Sequence, residues 1–474
     1  MNAGHHPIPD LERARRAGRA LGDDIGIDAQ LASYDSYRWR PDDRAHPTLQ
    51  LDDVSAIPFL VDIAGVEEYQ HRGRLRAGDG DVYVTVTSEA EGYEAYCQQR
   101  LQMGAPLHLV AEPVGAPIEV ARACMAGETH RRLVDIARDA AGMMIHPYMG
   151  IEDVWELAAK LSVDSGAPVH VLAPPPPATW IANDKALFDE LVSRVLGRDA
   201  LVDTRIATHT GEIEVNLRAL AALHPRVGLK RTRCASAMGN AVFASEEVQS
   251  EPGARAAVSE FLSRTQWPDG EDVLAVAWLD TDLSPSTQLW IPPVGRGEPR
   301  LDGVYEQILK GEEKVFVGSR PSTLPEAVNQ ALGACALMVA AALQELGYVG
   351  RCSFDHIVAG DVHGEFQVLF TECNGRWGGT STPMSLLDRL LQGPRPAYRA
   401  QDVVYPGLVG ARLPDVLEMA DDLMFDTTSG RGRFIFYNVG PLEGHGKFDV
   451  ISVGADPADA ERGVVEILPE RLGL

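Results

Sequence analysis

Residues 370–383, FTECNGRWGGTSTP, decide how this chain is read. In a strand, side chains two apart share a face. Glu372, Asn374 and Arg376 then project together, while Cys373 and Gly375 point away. A carboxylate, an amide oxygen and a guanidinium in one row suit a hard cation beside phosphate. Mg²⁺ takes oxygen ligands, usually one or two carboxylates plus a nucleotide's own phosphates, and an arginine fork neutralises phosphoryl charge. Alone, E-x-N-x-R also fits an ordinary solvated strand face. Its flanks, Phe370 and Trp377, and the Gly378-Gly379 pair behind it suggest a half-buried hairpin, where such charges need partners.

The hairpin itself is legible just upstream. RCSFDHIVA (351–359) and EFQVLFTECN (365–374) are strand-like and are separated by GDVHG, a turn composition. Pairing brings Asp355 to roughly 5 Å from the neighbouring strand. The sequence leaves the register open, with Asp355 opposite or diagonal to Glu372. Before the hairpin, LPEAVNQALGACALMVAAALQELG (324–347) reads as one Ala-rich scaffold helix ending at a glycine.

Further upstream, NDKALFDELVSRVL (183–196) and VNLRALAALH (215–224) read as helices. RVGLKRTR (226–233) is a strand entering a loop, and DVLAVAWLD (272–280) a strongly apolar strand. Residues from about 48 to 175 alternate strands (VYVTVT, PLHLVAEP, MMIHPYMG, PVHVLAP) with helical stretches (YEAYCQQRLQ, RRLVDIARDAA, EDVWELAAKL). That alternation implies a parallel, Rossmann-like layer, although no GxGxxG fingerprint occurs in it. PPPP at 174–177 is stiff and marks a boundary. Downstream of 400, RFIFYNVG and FDVISVG are strands, followed by an acidic closing helix. The first 20 residues read as a short disordered lead and then a charged helix.

Composition narrows the function classes. Hydrophobic content of 45% is globular, and 474 residues suffice for several domains. No run of 18 apolar residues occurs, so no bilayer-spanning helix is expected. A net charge of −25 argues against nucleic acid as a general partner, yet permits one anion in a local basic pocket. The six cysteines form no CxxC pair and no zinc spacing, as expected of reduced thiols in a cytoplasmic protein.

A long helix, a G-Y-x-G turn, a strand with Asp355, a hairpin and then E-x-N-x-R resembles the metal-binding end of ATP-grasp ligases. The resemblance implies an α/β and α+β chain. A Rossmann-like pre-ATP-grasp domain (1–178) would precede a lid or central domain (179–273). A C-terminal domain (274–474) would carry the Mg site and a small extension. It further implies ATP and Mg²⁺ as cofactors, with the metal on Asp355, Glu372 and Asn374. Lys185 and Lys230 would hold phosphates, and Ser236, Gly239 and Asn240 would form a covering loop. Val276, Trp278 and Leu279 would meet adenine, Gly378 and Gly379 the acyl group, and Arg376 the transferring phosphoryl. Lys230 and Arg376 would be catalytic. SAMGNA (236–241), LSPSTQLWI (283–291) and HPYMGIEDVWELA (146–158) look like the pheganomycin-type peptide ligases. That branch implies amino acids or peptides as carboxylate and amine substrates, and a homodimer is the ligase-family expectation.

Two departures qualify the resemblance. The loop has Ala237 and Met238 where a glycine and a polar residue are expected, and the hinge lacks the usual glutamate, leaving Asp280 as a weak ribose candidate. These favour one alternative, a catalytically silent ATP-binding regulatory protein of the same fold. A second alternative is a metal-dependent hydrolase using Asp355, Glu372 and His356. Arg351 and Arg320 read equally as phosphate ligands or as strand-end charges.

Overall fold

The computed structural model describes residues 9–41, 46–58, 60, 63–234, 239–279, 281, 283–311 and 314–474. In the N-terminal third, short β-branched and aromatic runs form five parallel strands. They are β1 (Thr48–Leu51), β2 (Val82–Thr85), β3 (Leu107–Val110), β4 (Met143–Pro147) and β5 (Val169–Val171). Their order, β3-β2-β1-β4-β5, is that of the first five strands of the doubly wound dinucleotide fold. Helices Gly127–Asp139 and Glu152–Ser165 cover this sheet through Leu133, Val154, Trp155 and Leu161.

One expected helix there is replaced. Residues 93–102 give a single α turn, Tyr93–Ala95, and then a π turn, Tyr96–Arg100. The reason lies in packing: Tyr93, Tyr96 and Cys97 belong to the core of the C-terminal strands, not to that of their own sheet. The Tyr96 hydroxyl accepts the Phe436 N–H at 3.1 Å, so side-chain partners set the local twist.

The PPPP run starts a helix. Pro175 caps Pro176–Asn183, and proline is tolerated in a first turn because its missing N–H would be unpaired anyway. The expected division at 178/179 therefore falls inside that helix. A four-stranded sheet follows, β6 (Thr204–Ala207), β7 (Arg226–Arg231), β8 (Asn240–Ala244) and β9 (Val273–Ala277), in the order β6-β9-β7-β8. β9 is central in it, so the division expected at 273/274 cuts through a strand of this unit.

The remaining strands make one eight-stranded antiparallel sheet: β10 (Pro285–Ile291), β11 (Arg300–Lys310), β12 (Val315–Pro321), β13 (Gly350–Gly360), β14 (Phe366–Asn374), β15 (Ala397–Val404), β16 (Phe434–Tyr437) and β17 (Lys447–Gly454). The order is β14-β13-β10-β11-β12-β15-β17-β16, so the C-terminal strands extend the sheet through β12–β15 pairing. Helix Glu326–Glu345 packs on β10 and β11. It is the one helix among the described residues with the length and hydropathy of a membrane span, and its buried face is core.

The charged N-terminal helix, Leu11–Ile25, is capped by Asp10 and lies against Glu326–Glu345. Gly18 sits at the crossing, where a Cβ would come within 2.5 Å of the Ala342 carbonyl oxygen. Arg19 reaches Glu345 at 3.2 Å, and Arg13 donates to the Val195 carbonyl at 2.7 Å.

Candidate active site

The hairpin of β13 and β14 resolves the open register. Asp355 lies directly opposite Glu372, and Ser353 opposite Asn374. Thr371 is an extra residue on β14, and its hydroxyl donates to the Asp355 carbonyl at 3.1 Å. A bulge of this kind re-aims side chains where a ladder would otherwise be uniform. Asp355, Glu372, Asn374 and Arg376 all line a cleft of about 520 Å³ between the three sheets. His356 faces the other way. It is fully buried, its Nε2 3.0 Å from the Thr287 hydroxyl and its ring edge-on to Phe370. Burial lowers its pKa to about 3. It cannot act with Asp355 and Glu372, which removes the geometry that the hydrolase reading needs.

The two acids carry their charge differently. Burial, and then the neighbouring Glu372, push Asp355 up to about 7, against opposing hydrogen bonds from Ser286 and Asn374. Asn374 donates Nδ2 to Asp355 at 3.0 Å. Burial also acts on Glu372, but Lys185 and Lys230 outweigh it and hold that carboxyl below its ordinary range. Two hard carboxylates facing each other with an amide beside them fit a divalent cation, which would offset the repulsion that adds to burial in raising Asp355.

Lys185 opens helix Lys185–Leu196, with Asp184 accepting the N–H groups of Ala186 and Leu187. Its ammonium is 3.0 Å from Glu372 and 3.4 Å from the Cys234 carbonyl. It is 4% exposed and stands behind Glu372, not on the cleft wall. Its pKa is nonetheless raised: burial lowers it, and Cys234 and Glu372 more than compensate. Lys230 does line the cleft, with its ammonium 5.4 Å from the Trp278 ring centre. Burial lowers its pKa, partly offset by Glu372.

Asn240 lies opposite Lys230 on β8 and also faces the cleft. A Cβ at Gly239 would stand 2.6 Å from the Cys234 sulfur, so glycine is a packing requirement there. Ser236, with Ala237 and Met238, lies outside the described residues, as does Asp280. Of the expected adenine contacts, Trp278 and Leu279 line the cleft together with Ala277. Val276 does not. It is 2% exposed and paired on both sides, to Thr204 and Gly228. Apolar alternation marks a strand but not its place in the sheet, and a central strand has no backbone group to offer a base. The N–H groups of Ala277 and Trp278 are likewise taken, by Asp203 and Arg226.

Arg376 is held by Asn183, whose Oδ1 accepts from Arg376 Nη1 and from the Gly375 N–H, both at 3.1 Å. Arg376 Nε is buried with no partner among the described residues. Gly378 and Gly379 line the cleft, but the Gly378 N–H donates to Ser381 Oγ at 2.7 Å. A Cβ on Gly379 would collide with the Phe316 ring, so glycine is a packing requirement there. Arg351 and Arg320 stay out of the site. Arg351 pairs with Asp302 at 2.6 Å, and Arg320 with Glu306 at 2.8 Å.

Several cleft residues escape sequence reasoning. Arg72 and Tyr69 come from the N-terminal domain; Asp402, Lys447 and Asp449 come from the C-terminal strands, and Asn438 directly follows β16. No local spacing links them. The one available signal was polar residues at inward positions of apolar strands.

No family model matches the chain, and no curated protein matches its sequence. Solved structures match its fold. Thermus thermophilus N5-carboxyaminoimidazole ribonucleotide synthetase aligns at TM-score 0.52 and 15% identity, over 90% of this chain and 98% of that one. N5-carboxyaminoimidazole synthase from Aspergillus clavatus, in complex with ADP and 5-aminoimidazole ribonucleotide, aligns at 0.53 and 12%, over 90% and 99%. The biotin carboxylase domain of Hydrogenobacter thermophilus 2-oxoglutarate carboxylase, with MgADP, ADP and bicarbonate, aligns at 0.52 and 13%, over 84% and 87%. The fold is therefore the ATP-grasp fold, with a pre-ATP-grasp domain before it.

Proposed function

We propose that the chain is an ADP-forming carboxylate–amine ligase that uses ATP with Mg²⁺. One observation supports this above all: Asp355 and Glu372 face each other across β13 and β14, with Asn374 and Arg376 on the same cleft wall of an ATP-grasp fold. Asp355, Glu372 and Asn374 would hold Mg²⁺, which when bound neutralises phosphate oxygens. Neighbouring structures of this fold contain ADP, and one contains MgADP.

The chain's own residues then do the positioning. Lys230 gives the cleft wall a positive charge for a phosphate oxygen, and Lys185 keeps Glu372 ionised. Trp278 and Leu279 offer an apolar bed for the base. A substrate carboxylate oxygen attacks the γ-phosphorus, the bond to the β-bridging oxygen breaks, and ADP leaves with the electron pair. Arg376, aimed by Asn183, stabilises the charge on the transferring group. An amine then attacks the acyl carbon of the acylphosphate, phosphate departs, and the amine proton is released. Such catalysis is mainly positioning and charge stabilisation. The resemblance to pheganomycin-type ligases favours amino acids or peptides as substrates.

The test is a hydroxylamine trap with ATP, Mg²⁺ and pools of amino acids and peptides. Hydroxamate together with ADP supports the reading. Hydroxamate with AMP means adenylate chemistry and overturns it. ATP binding with silence across all pools favours the regulatory alternative.

A further inference from the structure

At the cleft wall farthest along the large sheet, β15 and β17 set a second pair of acids face to face, Asp402 opposite Asp449. Lys447 bridges Asp402 Oδ2 at 3.1 Å and the Tyr69 hydroxyl at 2.9 Å. Asn438, 2% exposed, donates Nδ2 to Asp449 at 3.3 Å. These bonds leave Asp402 Oδ1 and Asn438 Oδ1 buried without a donor among the described residues. Opposite them, Arg72 is 7% exposed and lies between two rings, 4.7 Å from the centre of Tyr69 and 4.5 Å from that of Tyr148. Its Nε donates to the Tyr69 carbonyl at 3.0 Å, and its Nη2 has no acceptor among the described residues.

Buried polar atoms left unpaired are costly, because they give up water and gain no partner. Three of them, two acceptors and one donor, belong to residues that line one cleft, and together they mark a place made for a ligand of mixed polarity. The acceptors ask for a group with several N–H donors, and the guanidinium edge asks for an anionic oxygen. Arg72 also pairs with Asp52 at 3.4 Å, which Arg76 shares, so Arg72, Arg76 and Lys447 together offset Asp52, Asp402 and Asp449, and a ligand with no net charge leaves that balance intact. Burial, and then Asp402, push Asp449 well above its ordinary range, which a further positive group would reverse. Beside these residues, Val54, Ile57, Leu60 and Ile63 line the same cleft and pack in one cluster with Tyr69 and Tyr148.

From these groups we infer a substrate subsite for an α-amino acid with an apolar side chain. Its ammonium group donates to Asp402, Asn438 and Asp449, an oxygen of its carboxylate accepts from Arg72, and its side chain lies on the wall of Val54 and Ile57. This rests on the ligase reading above and extends it. An ammonium clasped by two carboxylates stays protonated and is no nucleophile, so the carboxyl group is the end this amino acid presents for activation.

The subsite is tested by calorimetric titration of the full chain with L-leucine, N-acetyl-L-leucine and L-leucinamide, with and without a non-hydrolysable ATP analogue and Mg²⁺. L-Leucine is expected to bind, with the N-acetyl and amide forms at least about 10-fold weaker, since each removes one charge-assisted set of bonds. Asp402→Asn should weaken L-leucine at least as much while leaving affinity for the ATP analogue unchanged. Equal binding of N-acetyl-L-leucine, unchanged L-leucine affinity in Asp402→Asn, or no binding of L-leucine or any other apolar amino acid would each overturn the subsite. L-Leucine binding without ATP-analogue binding would sink the ligase reading and leave the subsite standing. The ligand series needs no mutant to fold, so a destabilised variant does not block the answer.

Discussion

One sheet carries two cross-strand pairs of acids, Asp355 with Glu372 and Asp402 with Asp449, each with an asparagine, a lysine and an arginine nearby. The ingredients match and the arrangements do not. Around the first pair, two lysines converge on one acid: Lys185 and Lys230 depress Glu372 and leave Asp355 near 7. Lys230 and Arg376 also face the open cleft, so the wall presents positive charge to an incoming polyanion. Around the second pair, Lys447 is already engaged with Asp402 and Tyr69, and what is left unpaired is carboxylate and amide oxygen beside a single guanidinium edge. Residue type alone does not set the chemistry of an acid pair. Which of its partners' hydrogen bonds are already used does.

The largest effect that can break this comparison is expected from Glu372→Gln. Loss of that charge should lower kcat about 10³-fold, the scale seen when a preorganised electrostatic group is removed. Unchanged circular dichroism would show the fold intact, and an ADP-release rate equal to wild type would end the metal assignment. Next comes Lys230→Ala, which should weaken binding of an ATP analogue about 10- to 100-fold, the scale of one charged hydrogen bond. The same change should leave L-leucine binding alone if the two sites are separate; calorimetry reads both.

Asn183→Ala should lower kcat about 10-fold through a misaimed Arg376, with KM for ATP little changed. A structural role alone would shift the melting temperature and leave kcat of the folded fraction as it was. The smallest effect concerns pH. Asp355 titrates near 7 in the metal-free fold and near 3.8 unfolded, so between those values the native state holds a proton that the unfolded chain has lost. Stability of the metal-free protein therefore falls as pH rises from about 4 to 7. Asp355→Asn should flatten that fall and raise the melting temperature at pH 8 by roughly 1 °C for each kcal/mol recovered. Asp449, also raised, should behave alike when changed to Asn. A profile with the opposite slope would reject both assignments.

Much of the first site was legible because it is local. Glu372, Asn374 and Arg376 lie within five residues, a strand puts them on one face, and the turn at 360–364 delivers Asp355. The register was not legible, since it depends on the bulge at Thr371, which no composition rule announces. Val276 was misplaced because an apolar strand looks the same at the centre of a sheet as at its edge. The second site was out of reach for a different reason: Arg72 and Asp449 stand 377 positions apart, and only the joining of β15 to β12 brings them to one cleft. The parallel layer was read correctly from its alternation, whereas residues 93–102 packed into a core that a local pattern cannot specify.

Helix Leu11–Ile25 finishes its packing against Glu326–Glu345, about 320 residues further along the chain. At the usual 5–20 residues per second of synthesis, that partner leaves the ribosome roughly 15–60 s after the helix does. For that interval the face around Gly18 lacks the Ala342 backbone on which it packs. A segment made long before its partner is thus among the last to find its place. Nascent-chain chaperones would meet this helix before its partner exists, and a Gly18 substitution that blocks its seat on Ala342 would betray itself as aggregation during expression sooner than as lost catalysis.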